Sequence, residues 1–197
     1  LPAYASPLLH TVGGVRQIVT QTRNSCAAFD PRTGQTLWSV PFTTPYDQNS
    51  VTPVALGERI VFAGVRQPTF ALAPRRAGKE WRAPKVWDTT DATMYMSTPV
   101  RVGNRLVGMS EKRGGQLFVL APATGEVLWT GEGRLGENAS LFAHGDTVLA
   151  LTTDARLRVS RLSGDRLEPV AEHAVAESAV WASPAFAGDT ILVKDVD

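Results

Sequence analysis

Short apolar runs alternate with polar residues along this chain, and Gly, Pro, Asn or Asp interrupts them about every ten positions. Alternation with a period of two is typical of half-buried strands, whereas the helical period of 3.6 is almost absent. The pattern therefore predicts an all-β fold of short strands joined by tight turns.

One hairpin unit recurs, in the order Ser/Thr-Pro, apolar run, Gly-led turn and second apolar run. Glycine beside Asn, Asp or Glu supplies the positive φ that two-residue turns require. Proline has no N–H, so it suits the first residue of a strand. The copies begin at Ser6-Pro7, Thr52-Pro53, Thr98-Pro99 and Ser183-Pro184, with a degenerate copy at Ser140-Leu141.

A second motif follows about 20 residues after two of these hairpins, and we call it the Thr-Gly corner. Proline presets φ in the turn, and glycine takes the left-handed position that closes a bulged hairpin. The Leu-Trp that follows is predicted to lie in a fourth strand and to pack against an adjacent sheet. The motif residues are Asp30, Thr33, Gly34 and Trp38 in one copy, and Thr124, Gly125 and Trp129 in the other.

Repeats of 42 to 46 residues between turn glycines, with four strands in each, are the spacing of propeller blades. The sequence thus predicts an all-β propeller with about four and a half four-stranded antiparallel blades. The predicted blades span residues 5-42, 50-88, 96-130 and 139-172, and a half blade spans 181-197.

The Thr-Gly corners and Ser/Thr-Pro hairpins resemble the quinoprotein-like (PQQ-like) propeller repeat. The chain is also similar to bacterial secreted propellers related to the outer-membrane assembly lipoprotein BamB. This resemblance implies a ring of seven or eight blades, completed by further blades or by self-association. It also implies a periplasmic or extracellular location.

Composition narrows the partner classes. Lys and Arg total 20 against 19 Asp and Glu, so no overall charge favours nucleic acid. No apolar run reaches 18 residues, which argues against a membrane-spanning helix. The predicted partner is an unidentified protein or a small ligand, bound by a non-catalytic scaffold.

Two metal-binding or catalytic residue types are sparse. Cys26 is the only cysteine and is predicted to be a small buried apolar residue. His10, His144 and His173 lack the spacings that mark zinc sites, so they are predicted to be solvated.

The resemblance also raises an enzymatic alternative, a quinone- and calcium-dependent dehydrogenase. Such enzymes carry a vicinal disulfide, which a lone Cys26 rules out. Asn49, Asp88, Asp91 and Glu137 could supply oxygen ligands to calcium. We expect no cofactor, with PQQ and calcium as the alternative. A carbohydrate-active propeller is a third hypothesis and would require two converging carboxylates.

An insertion at residues 75-85 mixes Arg and Lys with Trp81. Basic residues beside an aromatic one can contact phosphate or an acidic protein. A solvated hairpin loop is the favoured interpretation.

The connections between successive blades supply the candidate binding residues. In a propeller these connections cross one face and reach the channel mouth, where partners bind. The connections are 43-49, 88-96, 134-138 and 177-181, and we refer to them as crossing connections. The predicted binding residues are Tyr46, Asn49, Asp88, Asp91, Tyr95 and Trp181.

Overall fold

The computed structural model describes residues 3-196, and nearly all of its regular structure is β-strand. Four four-stranded antiparallel sheets and two two-stranded sheets form, so the all-β prediction is confirmed. The chain divides into two compact units. The first contains residues 3-96 and 123-125, and the second contains 97-122 and 126-196.

The first unit contains two four-stranded sheets and an inserted hairpin. The first sheet is β1 (Leu8–Val12), β2 (Val15–Gln21), β3 (Ser25–Phe29) and β4 (Thr36–Pro41), paired in that order. The second is β5 (Val54–Leu56), β6 (Arg59–Phe62), β7 (Thr69–Leu72) and β10 (Lys85–Thr89). The insertion between β7 and β10 forms a hairpin of β8 (Arg75–Ala77) and β9 (Glu80–Arg82).

The second unit contains two four-stranded sheets and a two-stranded one. Its first sheet is β11 (Val100–Val102), β12 (Arg105–Ser110), β13 (Gln116–Leu120) and β14 (Val127–Thr130). The next is β15 (Ala139–His144), β16 (Thr147–Thr152), β17 (Arg156–Ser163) and β18 (Arg166–Ala174). The last pair is β19 (Ala185–Ala187) and β20 (Thr190–Leu192).

The repeated prolines lie one residue before their strands instead of at the first strand position. Pro7 precedes β1 and Pro53 precedes β5, for example. Each strand therefore begins at the first residue after proline, which has an N–H to donate. The following turns contain glycines at positive φ, such as Gly57 at 64°.

The first Thr-Gly corner is held by local hydrogen bonds. Asp30 Oδ1 accepts from the backbone N–H groups of Arg32 (2.8 Å) and Thr33 (3.0 Å). These two bonds lower the pKa of the Asp30 carboxyl. Gly34 adopts φ 71°, and the β3–β4 register shifts beside the corner, which is the predicted bulge.

The second corner shares the positive φ of its glycine and the register shift beside it. Gly125 adopts φ 80°, and the β13–β14 register shifts between Val119 and Leu120. As predicted, Trp38 and Trp129 lie in the fourth strands of their sheets, β4 and β14.

Large aromatic side chains dominate the core of the first unit. Phe62 is fully buried, packs edge-on against Trp38 (ring centroids 6.4 Å apart) and stacks on Phe70 (5.6 Å). The indole N–H of Trp38 donates to Gln17 Oε1 at 2.8 Å. Cys26 belongs to the same cluster, as predicted, and burial raises the pKa of its thiol.

Smaller aliphatic side chains form the main core of the second unit. Most come from β12, β13, β15 and β16, with Val102 from β11 and Leu167 from β18, and half-buried Trp129 and Leu135 pack against them. Gly108 faces Phe118 across the β12–β13 pair, and a Cβ at Gly108 would collide with that ring. Glycine is therefore required here by close packing instead of by a turn.

In each unit, an arginine that begins the second strand of a sheet donates a hydrogen bond to a distant turn. In the first unit, Arg59 Nη1 donates to the carbonyl of Ala123 at 2.5 Å. In the second, Arg105 Nε donates to Asp165 Oδ1 at 2.5 Å. Both arginines follow a Gly-led turn of the repeated hairpin, and both reach a turn that precedes a fourth strand.

Candidate functional site

Asn49 ends the first crossing connection, and its side chain is fully buried. Its Oδ1 accepts from Thr44 Oγ1 at 2.9 Å. Its Nδ2 donates to the carbonyl of Thr22 at 2.6 Å, with longer bonds to Arg23 (3.3 Å) and Phe42 (3.4 Å). The amide is thus used within the fold, so Asn49 supports the connection, and its predicted contact with a ligand stays a prediction.

Tyr46 projects from this supported connection. It is 84% exposed and adopts φ 60°, and the next residue, Asp47, also has positive φ (57°). Two consecutive non-glycine residues in this region are strained, so surrounding contacts must hold them. One such contact is the ion pair between Arg23 Nη2 and Asp47 Oδ2 at 2.6 Å.

The second crossing connection contacts the first. Tyr95 is half-buried, and its hydroxyl donates to Gln48 Oε1 at 3.3 Å. Ala92 and Met94, from the same connection, are fully buried, and Thr69 Oγ1 donates to the Ala92 carbonyl. The structure therefore places Tyr46 and Tyr95 on two connections that are joined through Gln48.

The predicted acidic residues Asp88 and Asp91 are both exposed. Asp88 is exposed on β10 and forms an ion pair with Lys85. Asp91 is exposed, and its backbone N–H donates to Thr89 Oγ1 at 3.2 Å.

Two of the four residues considered for calcium already have other partners. Asn49 Oδ1 faces a hydroxyl donor, and the Asp88 carboxylate already faces an ammonium group. Within residues 3-196, no three His, Cys, Asp or Glu side chains group as metal ligands.

Trp181 lies in the second unit, on the connection between β18 and β19. It is 56% exposed and follows buried Val180, whose N–H approaches the Thr153 carbonyl at 3.4 Å. An apolar anchor thus precedes an exposed aromatic side chain.

The histidines follow local structure. His144 and His173 are exposed, as predicted. His10 is half-buried instead, and its Nε2 lies 2.8 Å from the Gly57 carbonyl. The basic insertion forms the solvated hairpin predicted for it, except that Trp81 packs against the first unit's core.

Sequence reasoning missed a groove in the second unit, which we call the Trp129 groove. It lies between β14, the connection that follows it, and the β17–β18 hairpin, and its volume is about 760 Å³. The corresponding place in the first unit, the Phe42 groove, has a volume of only about 320 Å³ and is lined by Val40, Phe42 and Asp88 among others.

A network beside the Trp129 groove was also missed. Arg158 makes two hydrogen bonds to the Asp154 carboxylate (3.0 and 2.9 Å) and pairs with Glu172 at 3.1 Å. Burial raises the pKa of Asp154, but hydrogen bonds from Arg158 and Thr152 outweigh it, so the pKa lies below its ordinary value.

Two solved structures share this arrangement of sheets. Over 99% of its length the chain superposes on BamB from Moraxella catarrhalis, with a TM-score of 0.67, 14% identity and 56% of that chain covered. The N-terminal domain of Nup159 matches over 90% of the chain, with a TM-score of 0.59, 13% identity and 46% coverage of that domain. The chain thus spans about half the length of these structures. No curated protein matches it.

The fold is that of a partial β-propeller with PQQ-like repeats, as predicted. The model of the family described as outer membrane protein assembly factor BamB matches residues 3-131. The chain belongs to this family, and its fold is that of a propeller scaffold or binding module. In the described part of the chain, no helix is long and apolar enough to cross a membrane.

Proposed function

We propose that this chain is a non-catalytic binding module whose crossing connections contact a partner protein through aromatic side chains. The proposal is carried by Tyr46, which is 84% exposed on a backbone that internal contacts hold in a strained conformation. Family membership supports the same class of function.

The support beneath Tyr46 matters for affinity. Asn49 binds three backbone carbonyls, and the Arg23–Asp47 ion pair spans the turn. A preorganised aromatic side chain loses little conformational entropy when it binds, and Tyr and Trp are enriched among residues that dominate binding energy. Tyr95 and Trp181 are the further contact residues that we propose.

Site-specific photocrosslinking in the producing cells tests this function. A photoreactive phenylalanine at Tyr46 or Trp181 should crosslink to a discrete partner protein. The control is the same group at Lys79, an exposed position in the β8–β9 turn. Identical crosslinked products at Tyr46 and Lys79, or none at Tyr46 and Trp181, would contradict the proposed role of these residues.

We also propose a periplasmic or extracellular location, supported by the family description. Osmotic-shock fractionation of the producing cells should release the protein together with a periplasmic marker, or it should appear in the medium. Retention with a cytoplasmic marker would contradict this location.

A further inference from the structure

The Trp129 groove has an apolar floor that this chain leaves open. Leu117 and Leu167 are buried beneath it, while Trp129 and Leu135 are half-buried at its side. Its volume of about 760 Å³ falls within the range of ligand-binding clefts, about 300 to 1,000 Å³. The groove is therefore large enough for several side chains of another molecule.

The first unit shows which side chain fits such a place. Counting from the shared Leu-Trp, Gly131 corresponds to Val40 and Gly133 to Phe42. Phe42 packs against Phe70 with ring centroids 5.2 Å apart, and the Phe42 groove is less than half as large. The second unit lacks this internal aromatic group, so an aromatic side chain from another molecule would restore the packing.

The rim of the Trp129 groove favours an anion. Arg113 and Arg166 line it, and within residues 3-196 neither guanidinium forms an ion pair or hydrogen bond. The indole N–H of Trp129 also has no acceptor in the described structure. Among the described residues, Glu132 is the one lining carboxylate without an ion pair, so positive charge exceeds negative charge among the uncompensated groups.

Two of the strands that line the groove are sheet edges, while the lining residues of β13 and β17 come from inner strands. β14 is the outermost strand of its sheet and β18 is the outermost strand of the next. Edge strands present unpaired backbone N–H and C=O groups, which extended segments of other chains can pair with. An occupant in extended conformation would satisfy these groups.

We propose that the Trp129 groove binds an extended, acidic segment of a partner protein that inserts an aromatic side chain beside Trp129. Carboxylates of the segment pair with Arg113 and Arg166, and its backbone accepts a hydrogen bond from the Trp129 indole. This surface is separate from the crossing-connection residues proposed above and does not depend on them.

Nuclear magnetic resonance titration of the protein tests the proposal. The probes are three unstructured peptides that differ only at their centre, which is Glu-Phe-Asp, Gln-Phe-Asn or Glu-Ala-Asp. The protein has five tryptophans, and a Trp129→Phe variant identifies the Trp129 indole signal. The Glu-Phe-Asp peptide should shift that signal and bind roughly tenfold or more tightly than the other two.

Charge reversal gives a matched pair of variants. Arg166→Glu should weaken binding of the Glu-Phe-Asp peptide by roughly tenfold or more. Arg161→Glu lies in the same hairpin outside the groove and has only a long ion pair to Asp146 (3.6 Å), so it should leave binding unchanged. Backbone spectra of both variants should retain the dispersion of the folded protein.

Three results would overturn the proposal. One is that no peptide shifts the Trp129 signal, and another is equal binding of all three peptides. The third is self-association, measured by sedimentation, that Arg166→Glu abolishes, because the occupant would then be a second copy of the chain. Unchanged crosslinking at Tyr46 in the Arg166→Glu variant would separate this result from the crossing-connection proposal.

Discussion

The same Leu-Trp pair follows both Thr-Gly corners, yet the two tryptophans have different surroundings. Trp38 is 4% exposed, donates to Gln17 and packs edge-on against Phe62. Trp129 is half-buried, has no hydrogen-bond acceptor among the described residues and borders an open groove.

Part of the difference lies in residues after the motif. Val40 and Phe42 fill the first unit's groove, whereas Gly131 and Gly133 leave the second one open. A repeat motif can therefore fix a turn and a strand while the burial of its tryptophan depends on side chains outside the motif.

The largest expected effect is from truncating the two tryptophans. Trp38→Ala should lower the free energy of unfolding by about 3 to 5 kcal/mol, because it leaves a cavity in a closed aromatic core. Trp129→Ala should cost only about 1 to 2 kcal/mol, since its site is already open to solvent. Denaturant unfolding of both variants checks this, and equal losses would contradict the comparison.

A smaller effect is expected from removing only the indole N–H. Trp38→Phe should cost about 1 to 3 kcal/mol, because Gln17 Oε1 loses its donor in a buried site. Trp129→Phe should change stability by less than about 0.5 kcal/mol, since its N–H has no acceptor to lose. Thermal and denaturant unfolding measure both losses. Equal losses for the two variants would show that the Trp38–Gln17 bond contributes little.

Gly131→Val tests the origin of the open groove by restoring the first unit's residue. A Cβ at Gly131 would lie 2.8 Å from Trp129 Cη2, the far end of a side chain that can move into the groove. Stability should therefore change by about 1 kcal/mol or less, while binding of the Glu-Phe-Asp peptide should fall. Retained peptide affinity would mean that groove volume does not govern binding.

The smallest effect concerns pH and the Arg158 network, which is confined to the second unit. Asp154→Asn should cost about 0.5 kcal/mol at neutral pH, since the carboxylate is more than a third exposed and solvent screens the pair. The folded pKa of Asp154 lies below its ordinary value of 3.8. Its contribution is therefore complete above that value and is lost as pH falls through the folded pKa.

Unfolding measured from pH 7 to pH 2 checks this dependence. The difference between wild type and Asp154→Asn should shrink on acidification. Asp146→Asn is the control, because its pair with Arg161 is long (3.6 Å) and exposed, so it should show almost no difference at either pH. A constant Asp154→Asn penalty across the range would contradict the ion-pair explanation.

The turns and strands could be predicted from sequence because each depends on a few adjacent residues. Gly34 and Gly125 take the left-handed conformation that their corners require, and Leu-Trp follows in a strand. The role of the candidate site residues was harder to predict from sequence. Asn49 has a ligand-binding side chain, but the carbonyls that engage it come from residues 22, 23 and 42, which only the fold brings together.

The Trp129 groove escaped prediction for a related reason. Its signal is the replacement of Val40 and Phe42 by two glycines in an otherwise matching motif. Two glycines in place of larger residues predict a groove only when the facing strands, here β17 and β18, are known to leave the space unfilled. Alignment of the two corner motifs would have identified the positions, but not the volume.

The linking arginines have a consequence for how such repeats diverge. Arg59 binds a main-chain oxygen, which every amino acid at position 123 would offer, whereas Arg105 binds the carboxylate of Asp165. The first bond does not depend on the side chain in the turn that accepts it. The second depends on the residue types at both positions. Substitution at Asp165 should therefore remove the acceptor of the Arg105 bond, while any residue at position 123 keeps the acceptor of the Arg59 bond.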